Sequence, residues 1–131
     1  MRLKNVLFSL SVSLLFTTAI MAALPETQKI HLIYRLLTPT EWATFQKEGT
    51  FKGTQWDQKD GFIHASFKEQ SPTTLEKFFK DVRPVVRVEI DTRLLAPAIL
   101  KVEANKPGGA VYPHIYGDLP LKAVTQYEIL H

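Results

Sequence analysis

The chain has no cysteine. Disulfides, thiol nucleophiles and cysteine-ligated metals are therefore excluded, as is a lipid anchor on a processed cysteine. It also lacks a glycine-rich G-x-G-x-x-G turn, a P-loop, an H-E-x-x-H pair and a G-x-S-x-G elbow. Dinucleotide binding through a glycine turn, a zincin-type metal site and a serine nucleophile of the hydrolase kind have no motif to rest on. His31, His64 and His114 show no ligand spacing, so no metal site is expected. Excess charge of one sign is missing too.

The first two dozen residues carry charge only at Arg2 and Lys4, and 6–24 carry none. A basic start, an uncharged run and closing small residues (Ala19, Ala22, Ala23) are the layout of a secretory signal peptide. Cleavage after Ala22 or Ala23 is expected; an uncleaved anchor is the other reading of so long a run. Residues 1–23 are thus assigned to a signal and 24–131 to one α+β domain, periplasmic or secreted, with no membrane contact after cleavage. Without Arg2 and Lys4 the net charge falls from +3 to +1. A nearly neutral domain gives no electrostatic case for nucleic acid.

Within the domain, 30–37 (IHLIYRLL) reads as a buried strand. Thr38, Pro39 and Glu41 form a helix start: an N-cap, a proline at the first helical position and the far arm of a capping box. Trp42 and Phe45 dock that helix, and Gly49 stops it. Residues 50–59 read as a polar loop carrying Phe51 and Trp56, which either stack on a ligand ring or pin the loop to the core. A strand over 61–67 follows. Ser71 and Pro72 open a second helix whose stripe of Leu75, Phe78, Phe79 and Val82 is expected to face the core. Strands are expected over 85–90, 98–104, 110–116 and 121–130, with turns at 91–97, 105–109 and 117–120. Two early helices and a run of late strands give an α+β class with a mostly antiparallel sheet.

The strand over 61–67 holds the chemistry. Residues two apart share a strand face, so Phe62, His64 and Ser66 point one way and Ile63, Ala65 and Phe67 the other. An aromatic ring, an imidazole and a hydroxyl on one face make a plausible cleft floor. His114, with Tyr116 on the same face, repeats the pattern in the 110–116 strand. His64 and His114 are the candidate catalytic residues, as acids, bases or ligand contacts. Arg35 either offers a fork for an anionic ligand or makes a surface ion pair, and Tyr34 lies on the opposite face of the same strand. Asp60 is an acid beside Asp57 or a turn residue before Gly61.

Three motifs in order, I-Y-R-L-L-T-P-x-E-W at 33–42, D-x-x-D-G-F-I-H-x-S at 57–66 and G-G-x-x-Y-P-H-I-Y-G-x-L-P at 108–120, resemble the domain of unknown function 952 family over 30–127. The resemblance implies a fold of the ADP-ribosyltransferase kind, a split, curved sheet with two helices gripping a nucleotide in a cleft. It implies an NAD-like nucleotide or phosphorylated small molecule as ligand, with Tyr34 or Arg35 on the first strand and His64 with Ser66 on a middle strand as contacts. Trp56, Asp60 and Tyr116 complete the expected ligand set. Glu128 is the one late glutamate that could match the acid of active transferases. The other reading is a non-catalytic periplasmic module that binds a small ligand or a protein, its histidines structural.

Overall fold

The computed structural model describes residues 31–131. The expected signal segment over 1–23 lies outside the described residues. Among the described residues no helix is long and apolar enough to cross a membrane.

The central sheet has the order β1 (Leu32–Leu37), β4 (Val85–Asp91) and β8 (Val124–Leu130), all antiparallel. Ile33 and Leu37 of β1 and Val86, Val88 and Ile90 of β4 alternate onto one face. Helix α1 (Pro39–Glu48) covers that face with Trp42 and Phe45. Its start is the expected one. Thr38 accepts from the Glu41 amide at 3.1 Å, and Glu41 accepts from the Thr38 amide at 2.8 Å. Gly49 ends it in the left-handed region at φ 75°, where a side chain would strain the backbone.

A second three-stranded sheet has the order β3 (Ile63–His64), β6 (Val111–Ile115) and β5 (Leu100–Ala104). One antiparallel bridge joins the two sheets: Tyr34 and Ser66 exchange amide-to-carbonyl bonds, each 2.8 Å. The α+β class and the antiparallel pairing hold, and the sheet is split at that bridge.

Four expectations are corrected. The loop over 50–59 contains a short strand, β2 (Thr50–Phe51), and a helix, α2 (Gln55–Asp60), so the described residues hold three α-helices rather than two. Helix α2 starts on a second capping box, Thr54 with Asp57. The turn over 117–120 contains β7 (Leu119–Pro120), which pairs with β2. The strand expected over 61–67 forms a ladder only at Ile63 and His64, because Gly61 is the left-handed cap of α2 and Ser66 turns to the other sheet. Finally, α3 (Ser71–Phe78) ends before the last members of the expected stripe, and that stripe is not buried: Phe78 and, beyond the helix, Val82 are exposed. Ser71 is its first residue and makes no capping bond.

Candidate functional site

Where the two sheets part, the structure has a cleft of about 690 Å³. Its walls come from β1, α2, β3 and α3. Trp56, Phe62, Phe78, Phe79 and Val82 supply apolar surface; Ser66, Thr74 and Asn105 supply polar groups. The stripe of α3 that looked like core thus forms a cleft wall. Amphipathic spacing is the same whether a helix face meets a core or a ligand cavity.

Beside the cleft lies Asp57, which the sequence offers only as an acid beside Asp60 and which the structure pairs instead with Arg35 and His64. Asp57 is 1% exposed. Its Oδ1 accepts from Arg35 Nη1 at 2.8 Å, from the His64 amide at 3.0 Å and faces His64 Nδ1 at 2.7 Å. Its Oδ2 accepts from Arg35 Nη2 at 2.8 Å, and from the Thr54 amide and hydroxyl at 2.7 and 3.0 Å. Burial opposes the charge of this carboxylate, but the bonds from His64 and Arg35 outweigh it and hold Asp57 well below the usual carboxylate range. Gly53 makes room: a Cβ there would sit 2.7 Å from the Asp57 Cβ. The Thr54-x-x-Asp57 capping spacing was the available signal; the partner 22 positions earlier was not legible.

Arg35 is therefore not the open anion fork expected of it. It lies on the core face of β1, and its guanidinium is spent on Asp57 and on the His64 carbonyl, 2.7 Å away. Tyr34, on the other face of β1, directs its hydroxyl to Glu89 at 3.2 Å. Burial and then Glu89 push that phenol up. Both residues line the cleft.

His64 is fixed on both edges. Nδ1 meets Asp57, and Nε2 lies 2.9 Å from Oδ2 of Asp60, which is 37% exposed. Asp60 is the last residue of α2, one turn before the strand, and Gly61 performs the turn. The ring of Trp56 lies 5.0 Å from that of His64 and 4.7 Å from Phe78. Of the two roles kept open for the loop aromatics, Phe51 is buried against Phe45, whereas Trp56 stands 48% exposed on the cleft wall. Ser66 is buried, and its hydroxyl bonds Thr74 Oγ1 at 3.0 Å. Thr74 in turn donates to the Gln70 carbonyl.

His114 is the direct cross-strand partner of His64, their ring centroids 6.0 Å apart. It is nonetheless 1% exposed and contributes nothing to the cleft lining. Phe62 stacks on it at 3.8 Å, which separates it from the opening. Its nitrogens meet Glu103 Oε1 at 2.9 Å and Asn105 Oδ1 at 2.7 Å. Tyr116 donates to the same Glu103 oxygen and lies outside the cleft. The bonds from Tyr116 and then His114 hold Glu103 below the usual carboxylate range, and the bond to Glu103, with burial, pushes the Tyr116 phenol up. Glu128 pairs with Arg87 at 2.6 Å and does not line the cleft. No group of metal-ligating side chains occurs among the described residues.

The family described as "Protein of unknown function (DUF952)" matches residues 36–127, and the chain belongs to that family. The crystal structure of protein CC0527 from Caulobacter crescentus is similar, with a TM-score of 0.70 and 37% identity, over 76% of this chain and 86% of that one. The solution structure of the same Caulobacter protein gives a TM-score of 0.65 and 36% identity, over 75% and 83%. No curated protein matches the chain.

Proposed function

We propose that the cleft beside His64 binds a small molecule with a planar ring, of the nucleoside or nucleotide class, in an exported domain of ADP-ribosyltransferase-like shape. The observation that carries this reading is the pairing of Trp56 and Phe78. Two large aromatic side chains stand about half exposed at the mouth of one cleft, next to a rigidly held imidazole. A concave, mainly aromatic cavity with a few fixed polar groups is the usual form of a small-ligand site. A ring inserted there covers apolar surface that water now covers.

The phosphate part of the expected ligand has weaker support than its ring. Arg35 is committed to Asp57, which leaves Lys77, on the α3 wall, as the cleft cation that pairs with no carboxylate among the described residues. A single lysine suits one phosphate better than a string of them. With Glu128 outside the cleft lining and paired with Arg87, the reading is binding rather than ADP-ribosyl transfer. The non-catalytic alternative is favoured at His114, whose ring is enclosed by Glu103, Asn105 and Phe62.

The test is a thermal-shift panel of adenosine, AMP, ADP, NAD and ribose 5-phosphate. A binder present at 100 times its Kd adds about 2.7 kcal/mol to the apparent stability. Adenosine or AMP is expected to raise the melting temperature, and Trp56→Ala to abolish the rise. A panel in which no ring-bearing member shifts the melt contradicts the reading.

A further inference from the structure

We propose that His64 is a proton-transfer residue of the cleft, that Asp57 is the residue that positions it, and that Asp60 is a displaceable partner that holds its reactive nitrogen until a ligand arrives. The proposal rests on reading the cleft as a ligand site and adds the chemistry that site performs.

The argument starts from a count of donors. An ionised carboxylate only accepts hydrogen bonds, and an imidazole ring carries at most two N–H groups. Asp57, sealed from water and bonded by Arg35, accepts at Nδ1, so the Nδ1 proton is fixed in place. The opposite nitrogen then faces a second acceptor, Asp60, at 2.9 Å. That contact closes only with a proton on it. The ring edge that carries this proton belongs to a side chain 21% exposed, on a cleft wall.

The two carboxylates are not equivalent. Asp57 is immobile, with donors on both oxygens. Asp60 is 37% exposed at the end of a six-residue helix, and the contact to His64 is its sole ion pair among the described residues. A ligand oxygen or ring nitrogen that replaces Asp60 meets Nε2 with the ring already oriented. The proton then passes between Nε2 and that atom. The bonding electron pair stays with whichever atom gives the proton up, and the charge of the ring changes by one. No oxidant, metal or covalent intermediate is needed. Ser66 is not a nucleophile in this scheme, because its hydroxyl bonds Thr74 rather than His64. The substrate class is a ring-bearing molecule with a hydroxyl, carbonyl or ring nitrogen that changes protonation during reaction.

Two measurements test this without any ligand, so their failure and the failure of the binding reading are distinguishable. The first is the ¹⁵N spectrum of the His64 ring in the full chain. In the neutral ring the proton is expected on Nδ1; a proton on Nε2 would overturn the proposal. The second is the rate at which diethyl pyrocarbonate acylates His64, read by peptide mass spectrometry. Asp60→Ala frees Nε2 and is expected to raise the rate roughly two- to tenfold, the factor that one lost hydrogen bond corresponds to. Circular dichroism confirms that the variant is folded. Asp57→Asn, which cannot hold Nδ1 ionically, is expected to broaden or shift the ¹⁵N signature toward a tautomer mixture. An unchanged or slower rate in folded Asp60→Ala, or an unaltered signature in folded Asp57→Asn, contradicts the assignment.

Discussion

His64 and His114 face each other across one β-ladder, yet they occupy different kinds of environment. His64 reaches a cleft, and one of its two carboxylate partners, Asp60, is exposed and makes no other ion pair among the described residues. His114 is closed in by Glu103, Asn105 and the stacked ring of Phe62. Glu103 lies on β5 and Asn105 in the turn that follows, so His114, on β6, ties its own strand to β5 and to the turn between them. Two histidines in similar local sequence thus divide into a candidate site and an anchor. What separates them is side-chain exposure, 21% for His64 against 2% for His114, a property of the surroundings rather than of the histidine.

The largest expected effect lies beneath His64 and not at it. Asp57→Ala leaves Arg35 unpaired under the cleft, and breaking such a buried pair costs about 3–5 kcal/mol. A urea midpoint close to the wild-type value would show that the pair is dispensable. The same carboxylate sets an acid response. Its folded form holds the proton more weakly than the unfolded chain does. Its contribution is therefore fully present above the unfolded value of about 3.9 and is lost as the pH falls below it. Urea melts between pH 6 and pH 2 are expected to lose stability on the acid side, and Asp57→Asn to flatten that slope.

The next effect distinguishes the histidines themselves. His114→Ala removes a buried ring together with its bonds to Glu103 and Asn105, and is expected to cost about 1–3 kcal/mol. His64→Ala removes a partly exposed ring and is expected to cost about 1 kcal/mol or less, since Asp57 keeps Arg35. Equal losses would dissolve the contrast between anchor and site.

The smallest effects concern the helix starts, where the sequence was most legible. The Thr38, Pro39 and Glu41 start is a local device, complete within four positions, and it forms as read. Thr38→Ala is expected to cost about 1 kcal/mol in a urea melt. Ser71 looked like a second such cap from its place before Pro72, but it lies inside α3 and caps nothing. Ser71 is buried, and with no cap to lose, Ser71→Ala is expected to cost less than Thr38→Ala in the same melt.

The rest was hidden for physical reasons. Helix α2 is six residues long and mostly polar, so it has no apolar period to detect, although Thr54 and Asp57 carry the capping box that Thr38 and Glu41 also carry. The union of Arg35, Asp57 and His64 depends on how β1 lies against β3. The apolar stripe of α3 announced a face without saying what covers it. The alternation puts Phe62, His64 and Ser66 on the cleft, where Ala65 of the opposite set lies as well. It could not show that Phe62 stacks over His114 and closes it off from the cleft.

The central claim is that the cleft beside His64 takes a ring-bearing ligand while His114 serves the scaffold. Titration of adenosine or AMP, whichever shifts the melt more, into wild type, His64→Ala and His114→Ala tests it most directly, with folding of each confirmed by circular dichroism. The account predicts affinity lost in His64→Ala by about tenfold, the equivalent of 1.4 kcal/mol, and retained in folded His114→Ala. Equal affinity in all three proteins, or loss confined to His114→Ala, would contradict it.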